Sequence, residues 1–342
     1  MDTKGLRRSL LRWFSRSKRP LPWRQTRDAY AIWVSEMMLQ QTTVATVIPY
    51  YQRFMKRFPD MASLAASSED EVLALWSGLG YYSRARHLRH AARQIMEAHG
   101  GRFPKDIETA MALKGVGRYT ASAVTSMAYG TPAAVVDGNV RRVLSRLHAT
   151  RHLSESDAQA KAQSLLSTRS PGSWNEAMME LGAVVCTPRN PRCEACPVAS
   201  ACLGRERPEH WSEGKPRRRP IPTVVEMALV ERDGRILLIR NREGDLMGGL
   251  YELPHGGLPR RAAKMETLRD RYEGRLRIDD EVAVTFRHAV THHRIEARVS
   301  RARLTTRAGV PGAEFHTIPE ALALPLGGLT RKALRACGLV RG

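Results

Sequence analysis

One carboxylate in the first half of the sequence has the surroundings that a general acid needs. Glu36 lies in a predicted helix, residues 29–40, and its neighbours one helical turn away include the apolar Ile32, Trp33 and Leu39 and no base. A carboxyl group on an apolar face is desolvated, which raises its pKa toward the range of an acid that works near neutral pH. The alternative is an ordinary surface glutamate at the rim of the helix, and the helix alone does not decide between them.

The stretch from Leu113 to Val143 combines a glycine turn with a single carboxylate. It begins Leu-Lys-Gly-Val-Gly and runs into a predicted helix, residues 118–129. Two glycines one residue apart allow a tight turn, and the first N–H groups of the following helix form an anion site that fits a phosphate. Asp137 then ends an apolar run. The alternative is a glycine turn between two core helices, with Asp137 as a helix cap.

Four of the five cysteines fall within seventeen residues, in the spacing C-x6-C-x2-C-x5-C. This crowding suits a metal centre better than a disulfide framework, which would join distant segments. Zinc sites usually use two separated cysteine pairs, and the uneven spacing fits that pattern less well. Cys337, near the C-terminus, is expected to be a simple thiol. The predicted metal ligands are Cys186, Cys193, Cys196 and Cys202.

Length and charge limit the kinds of protein that this chain can be. With 342 residues, 42% of them hydrophobic, it is long enough for two or three domains. The net charge of +21 comes from both halves: 30 Lys and Arg against 19 Asp and Glu in residues 1–213 (+11), and 25 against 15 in 214–342 (+10). This favours a polyanionic partner that touches both halves, although an arginine-rich proteome would have the same effect. We see neither a secretory signal nor a membrane-spanning run of about 20 apolar residues, so we expect a cytoplasmic protein.

Helical periodicity dominates the first part of the chain. Asp28 is the predicted cap of the helix that carries Glu36, and Leu21 to Arg24 is predicted to be extended. After a linker rich in Pro, Arg and Glu, short strand runs at 224–231 and 235–240 are joined by a hairpin signal, Arg232-Asp233-Gly234. The other predicted helices cover residues 44–58, 69–76, 83–99, 106–113, 139–147, 156–166 and 174–185.

We therefore predict an α+β protein in two domains. An all-helical domain would cover residues 1–205, a linker 206–222, and a smaller α/β domain 223–342. Within the helical domain we expect a six-helix module at about 25–130, which contains a helix-hairpin-helix at 107–129. A second module, from 1–24 and 131–205, would hold the cysteine loop.

The glycine turn and the carboxylate that follows it resemble the helix-hairpin-helix-GPD superfamily of base-excision DNA glycosylases. The string SEMMLQQT, residues 35–42, closely resembles the segment that carries the catalytic acid in one branch, the MutY family of adenine glycosylases. The cysteine spacing matches the loop that holds a [4Fe–4S] cluster in that family and in endonuclease III. The resemblance has specific motifs over residues 20–202 and implies the helical glycosylase fold and this cluster.

The resemblance also implies roles for particular side chains. Glu36 would protonate adenine at N7, and Asp137 would stabilise the positively charged sugar that forms as the base leaves. Tyr119 and Asn139 would orient these groups. Tyr119 stands where strand-cleaving relatives have a Schiff-base lysine, and a phenol cannot form a Schiff base, so we expect a monofunctional enzyme. The residues expected to contact adenine are Arg24, Leu39 and Glu180.

A second glycine loop, Gly78 to Arg86, places paired tyrosines beside arginines. Such a loop suits insertion into a base stack and contact with phosphates, although both tyrosines could instead belong to the core. In the family, this loop and the residue at Gln41 enter the duplex. The residues expected to contact DNA are Gln41, Tyr81, Arg84, Arg86, Lys114, Gly115, Val116 and Gly117.

The second half resembles Nudix hydrolases and the MutY C-terminal domain more loosely, through GGLYELPHGG at 248–257. A working Nudix site needs an Arg-Glu-x-x-Glu-Glu helix, and residues 260–273 hold only scattered acids, so we expect a Nudix-like fold without nucleotide hydrolysis. Residues 286–295 resemble the segment that senses 8-oxoguanine, where the family pattern Phe-Ser-His is replaced by Val290-Thr291-His292. We expect Thr291 and His292 to read the lesion, and the lost aromatic ring to alter or weaken that recognition. The alternative is a plain alternating strand with solvated histidines.

The resemblance thus predicts a monomeric, monofunctional adenine DNA glycosylase of base-excision repair. It would contain a [4Fe–4S] cluster, act on duplex DNA with A:8-oxoguanine or A:G mispairs, and work at the nucleoid of a bacterial-type cell. Two alternatives stay open. The first is a thymine glycosylase for T:G mismatches, against which Glu36 and the second domain argue. The second is a non-catalytic iron–sulfur DNA-binding protein, which would need neither Glu36 nor Asp137.

Overall fold

A computed structural model describes residues 2–211, 219–241, 247–257, 267–290, 293–305 and 309–340. By the contacts of its backbone the chain divides into two compact units. The first unit contains Met1–Ala66 and His87–Pro216, and the second contains Ser67–Arg86 and Arg217–Gly342. The segment 67–86, which lies inside the predicted helical domain, thus belongs with the C-terminal part of the chain. The predicted boundaries at 205 and 223 stay a prediction.

Helices joined by short turns form the chain as far as the cysteine loop. The predicted helices agree with the structure to within three residues at each end, while α1 and α4 were not predicted. Within the described part of the chain, no helix combines the length and the apolar character that crossing a membrane requires. The helices are α1 (Thr3–Ser17), α2 (Ala29–Leu39), α3 (Val44–Arg57), α4 (Met61–Ala66), α5 (Glu69–Trp76), α6 (Ser83–Ala98), α7 (Ile107–Met111), α8 (Arg118–Tyr129), α9 (Gly138–Leu147), α10 (Glu155–Leu165) and α11 (Pro171–Val184).

Helix α2 is almost entirely apolar, and this determines its place in the fold. Every residue from Ala29 to Met38 is buried, as expected of a helix without a polar face. Asp28 caps its N-terminus, as predicted, and accepts hydrogen bonds from the N–H groups of Tyr30 and Ala31 at 3.3 and 3.1 Å. The helix packs against α3 and α8. Glu36 is therefore carried into the interior of the first unit.

Helices α7 and α8 form the predicted helix-hairpin-helix. Gly115 in the turn has a φ of +77°, in the left-handed region that favours glycine, and a Cβ there would lie 2.5 Å from the Cβ of His87. Gly117 has a φ of −90° and open space around it. As the N-cap of α8, Gly117 supplies no side-chain acceptor. The helix therefore begins without a side-chain cap, as an anion site requires.

A second core in the first unit joins α1 to α9, α10 and α11. Helix α1 buries Leu6, Leu10 and Phe14 along one side. Gly182 on α11 lies so close to α9 that a Cβ would approach the Cβ of Asn139 to 2.6 Å. The absence of a side chain at Gly182 thus lets α11 meet α9 next to Asp137, at the N-terminus of α9.

The second unit is built on a mixed sheet with the strand order β3-β2-β1-β5-β4, in which β6 also pairs with β2. Strand β1 is parallel to β5, and the hairpin between β1 and β2 turns at Asp233 and Gly234, as predicted. One apolar cluster packs α13 and α14 on the sheet, and another packs α12. The elements are β1 (Ile221–Arg232), β2 (Arg235–Arg240), β3 (Tyr251–Glu252), α12 (Leu268–Arg271), β4 (Leu276–Val290), β5 (His293–Leu304), β6 (Ala313–Thr317), α13 (Ile318–Ala323) and α14 (Gly328–Ala336). The α+β class is confirmed.

The structure corrects two local expectations. The segment predicted to be extended contains a 3₁₀ turn over Pro22–Arg24, because proline at the first position of a short helix supplies a suitable φ and lacks only an N–H that would be unpaired there. Strand β1 begins at Ile221, three residues before the predicted start at Val224. Most of the region compared with the Nudix helix, 260–273, lies outside the described residues.

Gly115→Ala should destabilise the chain, whereas Gly117→Ala should be nearly neutral. Alanine at position 115 would hold a left-handed backbone, at a cost of about 1–2 kcal/mol, and would have to displace His87. Urea unfolding followed by circular dichroism should show a loss of about 2 kcal/mol or more for Gly115→Ala. For Gly117→Ala the loss should be below about 1 kcal/mol, the size of a weakened helix cap. Equal losses for the two variants would contradict this account of the turn.

Candidate active site

A cavity of about 680 Å³ opens in the first unit, where α2, α9, α11 and the start of α8 converge. Its walls combine carboxylates and arginines with apolar side chains. The predicted catalytic and adenine-contacting residues all line it: Arg24, Glu36, Leu39, Tyr119, Asp137, Asn139 and Glu180. The sequence-predicted groups, which come from five separate elements, are thus brought to one place.

Glu36 is only 6% exposed. Burial raises the pKa of its carboxyl group to about 7. A hydrogen bond from Tyr119 and the charge of Arg24 oppose the rise, while the negative charges of Asp137 and Glu176 add to it. At neutral pH a large fraction of Glu36 therefore carries a proton that it can donate into the cavity.

Tyr119, at the start of α8, is hydrogen-bonded to Glu36. Burial, together with the charges of Glu36 and Asp137, raises the pKa of its phenol well above 10. Its hydroxyl oxygen also lies 3.6 Å from the Sδ of Met179. Tyr119 is therefore a neutral hydroxyl that orients the Glu36 carboxyl group.

Asp137 is both the N-cap of α9 and a wall of the cavity, so the two interpretations of its place in the sequence are compatible. One carboxylate oxygen accepts the N–H of Val140 at 2.7 Å, and the other accepts Nδ2 of Asn139 at 2.9 Å. Arg142 in turn donates from Nη2 to Oδ1 of Asn139 at 2.9 Å and from Nε to the carbonyl oxygen of Cys186 at 2.8 Å. The carboxylate is thus held in one orientation by its own helix.

Glu180 has a completely buried side chain with every acceptor position occupied. One oxygen accepts the backbone N–H and Nε of Arg19 at 3.1 and 2.7 Å, and the other accepts Nη2 of Arg19 and of Arg24 at 2.7 and 2.9 Å. Burial alone would raise the pKa of Glu180, but its bonds to the two arginines outweigh this and lower the pKa to about 2. A carboxylate has about four lone-pair positions. In this structure Glu180 therefore holds two arginines, and its contact with adenine stays a prediction.

The hairpin and Gln41 are the predicted DNA-contacting residues of the first unit. Lys114 and Gly117 are exposed, while the Val116 side chain is buried, so Val116 offers only its backbone to a ligand. Gln41 is exposed, borders the cavity and has a φ of +59°. Non-glycine residues rarely adopt this conformation, which places Gln41 at the tip of a tight turn.

The other predicted DNA contacts lie in the second unit. Tyr81 is 45% exposed. Arg84 is buried, with its guanidinium over the rings of Trp76 and Tyr81, and burial lowers its pKa to about 10. Arg86 pairs with Glu69 at 2.8 Å. Both arginines are thus engaged inside the protein, and DNA contact by either of them stays a prediction.

The predicted lesion-reading residues, Thr291 and His292, lie outside the described residues. Strand β4 ends at Val290 and β5 begins at His293, and these two flanking residues pair with each other. The prediction for Thr291 and His292 is therefore not tested by the structure.

The four clustered cysteines line one small cavity of about 30 Å³, together with Arg146. Burial raises the pKa of Cys196 to about 11, and the nearby cysteines add to the rise. Arg146 donates from Nη1 to the Sγ of Cys186 at 3.2 Å. Iron–sulfur clusters are held by cysteine thiolates, so four cysteines around one cavity are the donor set that such a cluster needs.

Three known families match separate parts of the chain. Residues 34–168 match the HhH-GPD superfamily of base excision DNA repair proteins, 186–202 match the iron-sulfur binding domain of endonuclease III, and 225–336 match the NUDIX domain. The iron–sulfur match begins and ends at the first and last of the four cysteines. The predicted [4Fe–4S] cofactor is thereby confirmed.

Two curated relatives, both adenine DNA glycosylases, extend over most of the chain. The one from Rattus norvegicus is 44% identical over 268 residues, which are 74% of this chain and 51% of that protein. The one from Buchnera aphidicola subsp. Schizaphis graminum is 32% identical over 256 residues, 72% of this chain and 73% of that protein. The chain belongs to the adenine DNA glycosylase family. It spans about half the length of the rat relative.

The fold of the helical part is also similar to that of a solved structure in the wider superfamily. A thermostable thymine-DNA glycosylase matches with a TM-score of 0.55 and 29% identity, over 60% of this chain and 96% of that one. The remaining part of this chain is thus additional to the glycosylase fold of that structure.

Sequence analysis missed two residues of the site, Arg19 and Glu176. Glu176 interacts with Arg24 at 3.6 Å and with Arg27 at 3.1 Å. A signal was present, because Glu176 and Glu180 lie one turn apart on a helix that contains no base. Two buried like charges on one helix require cations from elsewhere in the chain. Here the cations come from the segment before α2.

Glu36→Gln should remove a pH dependence from the stability of the chain. A carboxyl group whose pKa rises from 4.5 to about 7 on folding binds its proton more tightly in the folded state. Its contribution to stability is complete below about pH 4.5 and is lost as the pH rises through about 7, a loss of about 3 kcal/mol at higher pH.

Guanidinium unfolding at about pH 5 and about pH 8 should therefore show a smaller fall in unfolding free energy for Glu36→Gln than for the unaltered chain. The exposed Glu97 on α6 supplies the control, because Glu97→Gln should leave the fall unchanged. An equal fall in all three proteins would show that Glu36 has no raised pKa in the folded state.

Proposed function

We propose that the chain removes adenine from duplex DNA in which it is mispaired with 8-oxoguanine or guanine, by hydrolysing the N-glycosidic bond. The enzyme is monofunctional and works as a monomer in base-excision repair at the nucleoid. Family membership supports the reaction class. The observation that carries the proposal is the cavity in which a protonated Glu36 and a hydrogen-bonded Asp137 face one ligand space.

The two carboxyl groups suit the two needs of the reaction. Adenine is a poor leaving group unless a ring nitrogen is protonated, and Glu36 delivers a proton to N7. As the base departs, the sugar gains oxocarbenium-like positive charge, which the Asp137 carboxylate stabilises. The negative charge of Asp137 also raises the pKa of Glu36, which favours retention of the proton on the general acid. Glu36, once deprotonated, accepts a proton from the attacking water.

The neighbouring side chains hold this arrangement. Tyr119 orients Glu36, and Asn139 fixes Asp137 through the bond between their side chains. Because Tyr119 is a neutral phenol, the sugar is not attacked by an amine and the DNA strand is not cleaved. Four cysteines, Cys186, Cys193, Cys196 and Cys202, are the ligands of the cluster.

Arg24 supports adenine binding. The positive charge of Arg24 is partly neutralised by two carboxylates. Arg24 contacts Glu180 at 2.9 Å and Glu176 at 3.6 Å. An arginine without these partners would lower the pKa of Glu36 further and favour loss of its proton. We therefore assign Glu176 and Glu180 to the control of Arg24, and Leu39 to the apolar wall of the base pocket.

Access to adenine requires the base to leave the stack. Gln41 and Tyr81, both exposed at turns, enter the duplex at that point, and the uncapped start of α8 binds a phosphate through the turn at residues 114–117. Reading of 8-oxoguanine by Thr291 and His292 rests on the family pattern of their sequence.

Removal of thymine from T:G mismatches is the second candidate. The solved thymine-DNA glycosylase supports it through the shared fold and 29% identity. Thymine, however, leaves as a stabilised anion and has less need of a proton donor. A buried Glu36 with a pKa near 7 thus favours adenine.

Single-turnover base release from four matched duplexes tests the proposal. They carry adenine opposite 8-oxoguanine, guanine or thymine, and thymine opposite guanine. We expect rapid adenine release opposite 8-oxoguanine, none opposite thymine, and no covalent complex on treatment with borohydride. Equal rates opposite 8-oxoguanine and guanine would keep the adenine chemistry but contradict lesion reading by Thr291 and His292. Thymine release without adenine release would refute the proposal and favour removal of thymine from T:G mismatches.

Two substitutions that preserve shape test the assigned roles. Glu36→Gln should slow adenine release by about 10²–10⁴-fold, the usual contribution of general acid catalysis. Asp137→Asn should slow it by about 10²–10³-fold, the usual effect of losing one stabilising group. Both variants should bind the mispaired duplex with nearly unaltered affinity, because neither residue contacts phosphate in this account. Glu97→Gln is the matched control, and a rate within about threefold of that control for either variant would refute its role.

A further inference from the structure

The loop that presents Tyr81 is attached to the C-terminal part of the chain at Ser77. Ser77 is buried, and its hydroxyl donates a 2.6 Å hydrogen bond to the carbonyl oxygen of Leu326. Arg331 on α14 donates from Nη2 to the same hydroxyl at 3.3 Å. Ser77 lies about 250 positions before Leu326 and Arg331 in the sequence, but all three belong to one compact unit. Ser77 is therefore a fixed point at the base of the loop.

The acceptor at Leu326 is itself held firmly. Leu326 is completely buried, and Tyr251 of β3 bonds to the residues on either side of it. The N–H of Tyr251 donates to the carbonyl of Pro325 at 2.9 Å, and the N–H of Gly327 donates to the carbonyl of Tyr251 at 3.1 Å. The sheet of the second unit thus determines where Ser77 lies.

Between Ser77 and Tyr81 the backbone turns through left-handed conformations and is held by side-chain hydrogen bonds. Gly78, Gly80 and Tyr81 have φ values of +97°, +77° and +51°. The carbonyl of Gly80 accepts two side-chain hydrogen bonds, from Nε1 of Trp76 at 3.1 Å and from Nη2 of Arg84 at 3.0 Å. For tyrosine, a left-handed backbone is unfavourable. The carbonyl of Tyr81 itself accepts the N–H of Arg84 at 3.0 Å, so hydrogen bonds on both sides of Tyr81 hold it in this strained, exposed turn.

Two further contacts join the same segment to the C-terminal part of the chain. Arg86, which pairs with Glu69 of α5, also donates to the carbonyl oxygen of Gly248. Asp70 of α5 pairs with Arg240 of β2 at 2.7 Å. The loop is thus held at its base by Ser77 and beside it through α5 and the start of α6.

We propose that Leu326 and Arg331, acting through Ser77, are positioning elements for Tyr81, which they hold in the conformation that enters a DNA base stack. The inference rests on the proposed function only in that Tyr81 meets duplex DNA. The proposal gives the C-terminal part of the chain a second role besides lesion reading. That part positions the Tyr81 side chain, which opens the duplex whatever base lies opposite adenine.

A fluorescence measurement of base unstacking tests the proposal without relying on cleavage. The duplex carries 2-aminopurine next to the mispaired adenine, and the rate of fluorescence rise on mixing with the full chain reports opening of the stack. Ser77→Ala should slow this rise about fivefold, the effect of one lost hydrogen bond. Arg331→Met, which keeps the bulk of the side chain, should slow it in the same direction. Arg298→Met is the control, because Arg298 is a partly exposed arginine of the same unit that pairs with Glu296.

The decisive step repeats Ser77→Ala in a chain that already carries Tyr81→Ala. If Ser77 acts through Tyr81, the second substitution adds no further slowing. Equal slowing with and without Tyr81, or no slowing by Ser77→Ala or Arg331→Met, overturns the proposal. If Ser77→Ala does not fold, as judged by thermal unfolding, Arg331→Met takes its place and is combined with Tyr81→Ala in the same comparison.

Failure of the proposed glycosylase function would look different. A chain that opens the duplex in a Ser77-dependent way but releases no adenine would refute the enzyme and leave the positioning intact. A chain that releases adenine but opens the duplex independently of Ser77 would support the glycosylase function and refute the positioning of Tyr81. An unaltered chain that binds the duplex without any fluorescence rise would also overturn the positioning of Tyr81.

Discussion

The site depends on keeping the carboxyl group of Glu36 out of contact with water. Burial of Glu36 on a helix with no polar face raises its pKa to about 7, and the charges of Asp137, Glu176 and Arg24 modify that rise. Arg24 is the cation that opposes the rise, and it is shared between two buried carboxylates, Glu176 and Glu180. The ion pairs beside the cavity therefore do more than hold the segment before α2 in place. They limit how much positive charge reaches the acid.

Close helix packing at two glycines brings the carboxylate of Asp137 to the same cavity as Glu36. Asp137 caps α9, and α9 can meet α11 closely only because Gly182 has no side chain. Gly172 allows a similar approach of α11 to the backbone of Met127 on α8, where a Cβ would lie 2.7 Å from the Met127 Cα. Helices α8, α9 and α11 thus converge around one space, and the catalytic groups reach it from rigid helix ends rather than from long loops.

Sequence reasoning succeeded where the cause is local. The bounds of α8, the cap at Asp28 and the apolar surroundings of Glu36 all follow from residues within one or two turns. It missed Arg19 and Glu176. The two carboxylates on α11 signalled a need for cations, but the partners lie about 150 or more residues away and no spacing rule identifies them. Helix α1 is a different failure. Its buried Leu6, Leu10 and Phe14 recur every four residues, a helical pattern that the surrounding arginines and lysines obscured.

The glycine loop around Tyr81 was predicted, but the left-handed backbones of Gln41 and Tyr81 could not have been, because they oppose intrinsic preference. Both residues have left-handed backbones, with φ values of +59° and +51°, where glycine would be favoured by about 1–2 kcal/mol. Glycine would fit the turn but would present no side chain. A chain that must place a large side chain at the tip of a tight turn accepts this strain and offsets it with bonds elsewhere. At Tyr81 those bonds are visible on Gly80 and Ser77, the second of which reaches the C-terminal part of the chain. The backbone strain at Gln41 and Tyr81 therefore supports the proposal that both side chains enter the DNA duplex.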